Sequence, residues 1–567
     1  MPRERERERE RESKLQVKRF IHWLASGIVP AFLLMFGSIE ILSLINGYIL
    51  YSTGTSSSIW KYAGREVFFS LILLLPILIP AWIGKVYSIF LYLLLALLTS
   101  INWVHATLYN TPVASYLFRI LQETYFTEIQ EFIQQFSSWN LIFPALAPFI
   151  LPLPFLILSL KKRPASIKDT WRSSILIMVL ILIIAGVTGV KKTPLKLVHW
   201  HYMGDLALAY ISEQKEYAIF TNNITKNITL PTGIHGPQQS GRLIVLIIGE
   251  SSGRHHYGLY GYPRNTTPNL VARKKELLVF SDIISPHSHT IPALSKALTF
   301  ANHEGDPIGC SVVDVLKAAG YYVIALSNQP QLGQHDTAAS CLLGRAHQSQ
   351  FFNTGNTDGY YTAASHDGVL VEALKKSISR SGNIAVILHL MGNHGKYSMR
   401  FPKSMTRFTD TPPDAAQHAL SKGQIRDIND YDNSIAYTDH VLEQLFLLLE
   451  ETSRPTALLY FSDHGEALYE DGRTGGHAET AGSRFMFEIP FLIWLSKEYQ
   501  KERPGFFQQV QAWTKRPWQT DDLIYPVLNL AGITFDGYKP EKDLLSPDYV
   551  QEKRVLGNKD YDILFQK

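Results

Sequence analysis

Between residues 20 and 190 the chain carries five apolar stretches that reach, or nearly reach, the length needed to cross a bilayer. A spanning helix takes ~20 predominantly apolar residues. The stretches are 20–49, 67–83, 87–108, 143–160 and 173–190. The fourth contains Pro144, Pro148, Pro152 and Pro154, which a membrane helix tolerates when its neighbours satisfy the freed carbonyls. This succession divides the chain. A charged tail occupies 1–19, five transmembrane helices fill 20–190, a linker follows at 191–238, and a globular domain takes 239–567.

Loop charge sets the expected orientation. Lys161, Lys162, Arg163, Lys168 and Arg172 crowd one short loop, which places it in the cytoplasm. With five spans the N-terminus is then cytoplasmic, beside Lys14, Lys18 and Arg19, and the globular domain lies on the outer face. Lys191 and Lys192 oppose this, but they lead into a large domain where the rule loses force. No small-residue cleavage site follows the first span, so it is read as retained. The alternating Arg and Glu of 3–12 read as a solvated tail with no assigned function.

Between the third and fourth stretches, 115–135 has the period of an amphipathic helix and is expected at the membrane surface. The linker holds His199, Trp200, His201 and Tyr202, which suit an interfacial belt. Asn223 and Asn227 head formal glycosylation sequons, for which chance in a polar stretch is the simpler account. A net charge of +4 is too small to suggest nucleic acid. Two cysteines, Cys310 and Cys341, imply no disulfide framework; one bridge or two buried thiols both remain open.

From Arg242 onward, apolar runs of strand length alternate with helical patterns. The clearest strands are 243–248, 277–280, 321–326, 384–388, 457–461 and 491–495; helices are expected at 312–319, 368–377, 434–450 and 522–531. Continuous apolar strands with intervening helices imply an α/β domain, its mostly parallel sheet covered on both faces. Ligands in such folds bind beyond the carboxyl ends of the strands. The polar residues gather there. Glu250, Ser251 and Ser252 follow one strand, Asp463, His464 and Glu466 another, and His389 and His394 a third; Asp282, His287, His289 and Thr290 follow a fourth.

Glu250, Asp463 and His464 thus end two strands on one sheet edge, although Glu250 and Asp463 are 213 residues apart. Two carboxylates and an imidazole suit Zn²⁺, with Mn²⁺ the weaker fit. Three protein ligands leave room for a nucleophile, and Ser285, Ser288, Thr290 and Ser295 are the candidate hydroxyls. Thr290 precedes Ile291-Pro292 at the start of a helix, where it could equally serve as an N-cap. His394 and His477 could bind a phosphoryl oxygen, protonate a leaving group or hold a second metal; for His477 an ordinary surface histidine is the alternative.

Taken together, Gly249-Glu250-Ser251-Ser252, Leu259-Tyr260-Gly261-Tyr262-Pro263-Arg264, Met391-Gly392-Asn393-His394-Gly395, Tyr431-Asp432-Asn433-Ser434 and Ser462-Asp463-His464-Gly465-Glu466 resemble a known family. They are similar to the motifs of the bacterial phosphoethanolamine transferases, which are membrane-anchored, sulfatase-like members of the alkaline phosphatase superfamily. The Leu259–Arg264 run resembles the branch acting on lipopolysaccharide core sugars. The chain lacks the several disulfides of the lipid A branch.

The resemblance implies a multi-pass protein of the bacterial inner membrane with a periplasmic catalytic domain, expected as a monomer. It implies Glu250, Asp463, His464 and Thr290 as zinc ligands around one tightly bound ion, with room for a second. Thr290 would also be the nucleophile that carries the phosphoethanolamine group. His394 and His477 would contact the phosphoryl group or the second zinc. Thr124 and Glu128 match substrate-binding positions of the interfacial helix, whereas Ile120 stands where the family has Asn. The implied donor is phosphatidylethanolamine and the acceptor lipopolysaccharide core or lipid A. Another phosphoglycerol or phosphodiester transferase or hydrolase on the same fold is the alternative. Sulfatase chemistry fits less well, because Thr290-Ile291-Pro292-Ala293-Leu294 has neither the convertible Cys or Ser nor the Arg.

Overall fold

The computed structural model describes residues 28–52, 81–109, 139–162 and 228–565, with Lys14, Leu15 and Lys18; from the last range 305–308, 330–337, 354–364, 396, 414–417, 473 and 478–482 are excepted. The chain divides into two compact units, one apolar and helical, the other α/β.

The helical unit contains α1 (Ile28–Ser52), α2 (Ala81–Tyr109), α3 (Trp139–Ile150) and α4 (Leu153–Lys162). Among the described residues, three segments are long and apolar enough to cross a membrane: Pro30–Ile49, Ile83–Thr107 and Leu141–Lys161. They coincide with the expected stretches 20–49, 87–108 and 143–160. The stretch 173–190 lies outside the described residues, as does 67–83 apart from its last three positions. Phe32, Met35, Ile39, Leu42, Leu91, Leu95 and Leu156 pack the helices together. The proline-bearing third segment is interrupted at 151–152, between α3 and α4, and side chains of α2 meet its carbonyls. Ser100 Oγ donates to Ala145 O at 2.7 Å, and Tyr92 Oη donates to Phe149 O. Asn46 donates to Thr99 Oγ1 and accepts from Asn102, both at 2.9 Å, joining α1 to α2 by polar contacts.

The α/β unit is built on a seven-stranded sheet. Its strands are β1 (Leu243–Gly249), β2 (Leu277–Phe280), β3 (Tyr322–Ser327), β4 (Gln348–Phe351), β5 (Ile384–His389), β6 (Thr456–Ser462) and β7 (Phe491–Leu495), in the order β2-β7-β6-β1-β5-β3-β4. Only β7 runs antiparallel to its neighbours, so the sheet is mixed rather than wholly parallel. Both faces are covered, which is why β1 is apolar at every position. Ile244, Leu246 and Ile248 face one core with α5 (Thr290–Ala297), α6 (Val312–Ala318) and α9 (Ile524–Ala531). Leu243, Val245 and Ile247 face the other, with α7 (Gly368–Ser377) and α8 (Lys422–Glu450).

Two elements depart from the sequence expectation. Strand β4 reads Gln-Ser-Gln-Phe at an exposed sheet edge, so it has no apolar run to mark it. Helix α8 begins at Lys422 rather than near 434, closed by a capping box between Ser421 and Gln424. Cys310 and Cys341 do not form a disulfide; Cys310 is buried in the first core.

Candidate metal centre

Parallel register brings the central residues together. Gly249, the last residue of β1, pairs with Ser462, the last of β6. The next residues, Glu250 and Asp463, therefore leave the sheet side by side, with His464 one step further. All three are essentially buried. The fourth participant arrives on α5. His289 is the N-cap residue, so the Thr290 hydroxyl is not the cap; it lies 3.3 and 3.2 Å from the two carboxylate oxygens of Glu250 and 3.5 Å from His464 Nε2.

Each side chain is aimed by a neighbour. His464 Nδ1 lies 2.8 Å from Gly465 O, a carbonyl that can only accept, so Nδ1 carries a proton and Nε2 is the ring nitrogen turned to the cluster. Asp463 Oδ1 accepts from the backbone N–H of Ser251 at 3.0 Å and of His464 at 2.7 Å. Its other oxygen, Oδ2, is buried without a hydrogen bond among the described residues and lies 3.5 Å from His464 Nε2. Ser251 Oγ donates to Glu250 Oε1 at 2.8 Å. Gln329 Nε2 reaches Leu390 O at 3.0 Å and Glu250 Oε2 at 3.4 Å. The Met391–Asn393 turn closes over Glu250 from β5. Its Gly392 has φ +51, and a Cβ there would stand 2.9 Å from both N and O of Glu250. Only glycine fits that approach.

The spacing suits a bound ion. Donors at about 2.0–2.1 Å from a tetrahedral zinc stand about 3.3–3.4 Å from one another. Thr290 Oγ1 stands 3.2 and 3.3 Å from the two Glu250 oxygens and 3.5 Å from His464 Nε2, which in turn lies 3.5 Å from Asp463 Oδ2 and 3.6 Å from Glu250 Oε1. Electrostatics agree. Burial resists the charge on Glu250, but the hydrogen bond and charge of His464 keep its carboxyl well below the usual range. Burial and the charge of Glu250 push Asp463 upward. The two carboxylates thus compete for one imidazole, a conflict that a divalent cation among them removes.

A second shell of imidazoles borders this cluster. His477 Nδ1 lies 2.6 Å from Glu466 Oε2, and Tyr397 Oη donates to the other Glu466 oxygen. The His477 ring centroid is 4.3 Å from that of His464 and 5.0 Å from that of His289. His464, Glu466 and His477 form a second grouping able to hold a metal. His394 is half-buried; desolvation pushes its imidazole down to about 4 against the attraction of Glu250. A third grouping, His303, Glu304 and Glu552, is already served by a protein cation, since Lys542 Nζ lies 2.7 Å from Glu304 and 3.6 Å from Glu552.

The structure therefore gathers Glu250, Thr290, Asp463 and His464 into one cluster with His477 beside it. Thr124 and Glu128 lie outside the described residues. Sequence reasoning did not single out Ser251, Gln329 or Glu466 for roles at the site. Glu466 carried a signal in its place two residues after His464; Gln329 had only its position after β3.

Comparisons with known proteins bear on the fold and the family. The family model described as Sulfatase matches residues 242–533. The chain is 28% identical to the phosphoethanolamine transferase EptC of Escherichia coli K12, over 97% of this chain and 98% of that protein. The C-terminal periplasmic domain of the E. coli EptC, solved in complex with Zn, matches at TM-score 0.55 and 30% identity, covering 59% of this chain and 97% of that one. The integral membrane lipooligosaccharide phosphoethanolamine transferase A of Neisseria meningitidis shares the fold over 92% of this chain and 98% of its own, at TM-score 0.65 and 18% identity.

Proposed function

The chain belongs to the sulfatase family, in its phosphoethanolamine-transferase branch, and from that premise we propose that it moves phosphoethanolamine from phosphatidylethanolamine to an envelope glycolipid through a covalent ester on Thr290. The observation that carries this reading is the Thr290 hydroxyl standing 3.2–3.5 Å from Glu250 and His464, with His464 as close to Asp463. These four residues are the proposed zinc ligands. Zinc held there would lower the pKa of the hydroxyl and offset negative charge on the phosphoryl oxygens.

In the first half-reaction Thr290 Oγ1 bonds to phosphorus while the bond from phosphorus to the diacylglycerol oxygen breaks. Diacylglycerol leaves as the alcohol, taking up the proton that the Thr290 hydroxyl gives up. In the second, a hydroxyl or phosphate oxygen of the glycolipid bonds to phosphorus and Thr290 is released. His477, oriented by Glu466, and His394 are assigned to the phosphoryl oxygens and the departing proton. Thr124 and Glu128 are assigned to donor recognition.

Donor and acceptor are both lipids, which explains why such an enzyme is tied to a membrane. We assign five spans, a cytoplasmic tail at 1–19 and an outward-facing domain at 239–567; three segments of membrane-spanning length support this count only in part. The full chain is tested with phosphatidylethanolamine labelled in its headgroup, offering lipopolysaccharide core and lipid A in separate reactions. Label is expected in a glycolipid and absent with Thr290→Ala. Free phosphoethanolamine as the sole product, or transfer of phosphoglycerol instead, would refute the reading in favour of another member of the superfamily.

A further inference from the structure

We infer that Tyr431 is a positioning residue for the metal centre, its single hydroxyl clamping the turn after β1 in the left-handed conformation that aims Glu250 and Asp463 at a common point. The inference rests on the metal reading of Glu250, Asp463 and His464.

Ser251 has φ 52, a conformation that side-chain-bearing residues rarely adopt, and it is wholly buried. Three of its atoms face three different partners. Its N–H donates to Asp463 Oδ1, its Oγ donates to Glu250 Oε1, and its carbonyl accepts from Tyr431 Oη at 2.8 Å. The backbone angle at Ser251 therefore fixes both carboxylates at once. Were the residue to relax to the helical or extended region, its N–H and Oγ could not reach both.

Tyr431 closes the turn from the far side. Its Oη also accepts from Gly253 N–H at 2.8 Å, so one hydroxyl bridges the two ends of the Ser251–Gly253 segment from 180 residues away. Its ring is fixed. Tyr397 meets it edge-on at 5.0 Å and His256 at 5.2 Å, and the residue has no exposed surface. Helix α8 is anchored next door, where Asp432 receives Arg264 at 2.8 Å and His256 at 2.7 Å. A rigid post thus holds a strained turn, and strain persists only where surrounding contacts over-determine it. Without the hydroxyl, Gly253 N–H and Ser251 O lose their shared partner inside the protein.

The test uses the full chain in detergent, with zinc affinity measured by chelator competition and thermal stability measured on the chelated protein. Tyr431→Phe is expected to bind zinc at least tenfold more weakly, a factor equal to about 1.4 kcal/mol. Tyr321→Phe removes another buried hydroxyl, one that donates to Ala531 O at 2.6 Å just before β3, at the opposite sheet edge. It is expected to lower stability comparably while leaving zinc affinity within twofold. Ser251→Gly removes the need for a clamp, so adding Tyr431→Phe to it is expected to cost less than twofold further.

Equal zinc loss in the two tyrosine variants, or an undiminished tenfold loss in the Ser251→Gly background, overturns the clamp. Should Tyr431→Phe alone not fold, the glycine background is expected to restore folding, with zinc affinity within twofold of Ser251→Gly alone; failure to do so also overturns it. Glu250→Ala separates the two readings. Parental zinc affinity in that variant refutes the metal site itself, whereas zinc loss there beside an unaffected Tyr431→Phe refutes the clamp alone.

Discussion

Replacing Gly392 with alanine measures how tightly the Met391–Asn393 turn must close on Glu250. Two costs arise. The residue has φ +51, and an L-residue in the left-handed region costs about 1–2 kcal/mol. The new Cβ would also stand 2.9 Å from N and O of Glu250, about 0.5 Å inside the 3.4 Å of ordinary contact. Overpacking of that kind costs about 1–3 kcal/mol. The turn cannot simply retreat. Asp367 accepts from Met391 N at 2.8 Å and Gly392 N at 2.9 Å, and Asn393 N donates to Glu250 O at 2.9 Å. The displacement therefore falls on Glu250. A shift of this size in a ligand's support weakens metal binding by roughly ten- to a hundredfold. Gly382→Ala is the matched control, with φ +84 and open space around its Cβ. It bears the backbone cost without the contact. Zinc affinity by chelator competition is expected to fall at least tenfold in Gly392→Ala and to stay within twofold in Gly382→Ala. Equal affinities in the two variants would refute the reasoning.

Arg264→Met removes the cation that ties the Leu259–Arg264 run to Asp432 and Asn429. Breaking a buried pair costs ~3 kcal/mol or more, and chemical denaturation checks it; a loss under ~1 kcal/mol would contradict the geometry. Burial opposes the charge on His256, but Asp432 outweighs it and holds the imidazolium up to about 10. A raised histidine stabilises fully below its unfolded value of ~6.5 and loses that contribution as pH rises through its folded value. The Tm gap between the parent and His256→Gln is expected to be widest near pH 6 and to close towards pH 10; a gap that widens with pH contradicts this. Glu466→Gln loosens His477 without touching Glu250, Asp463 or Thr290. Transfer is expected to fall roughly ten- to a hundredfold with one zinc retained, and metal analysis of the variant separates this from loss of the ion.

The central cluster was legible because strand ends in a parallel sheet share one edge. Glu250 and Asp463 each follow an apolar run, and register does the rest. The resemblance added Thr290, whose helix start reads equally well as a simple cap. What sequence could not convey was the support. Ser251 reads as one more polar loop residue, yet its backbone angle aims two carboxylates. Tyr431 stands ahead of the expected helix 434–450 and is marked only as part of a motif, and its hydroxyl contact lies 180 residues away. Such contacts follow from how α8 crosses the sheet, which no periodicity encodes. The exposed strand β4 was hidden for the opposite reason, since an edge strand needs no apolar alternation.

The account stands or falls on the fate of the Thr290 hydroxyl. The full chain is incubated with phosphatidylethanolamine alone, quenched in acid, digested, and the peptide containing Thr290 examined by mass spectrometry. The account predicts one phosphoethanolamine ester on Thr290, formed as diacylglycerol is released, discharged when glycolipid is added, and missing when zinc has been chelated. Diacylglycerol released in full by Thr290→Ala, with no ester on any residue of the parent, would contradict it.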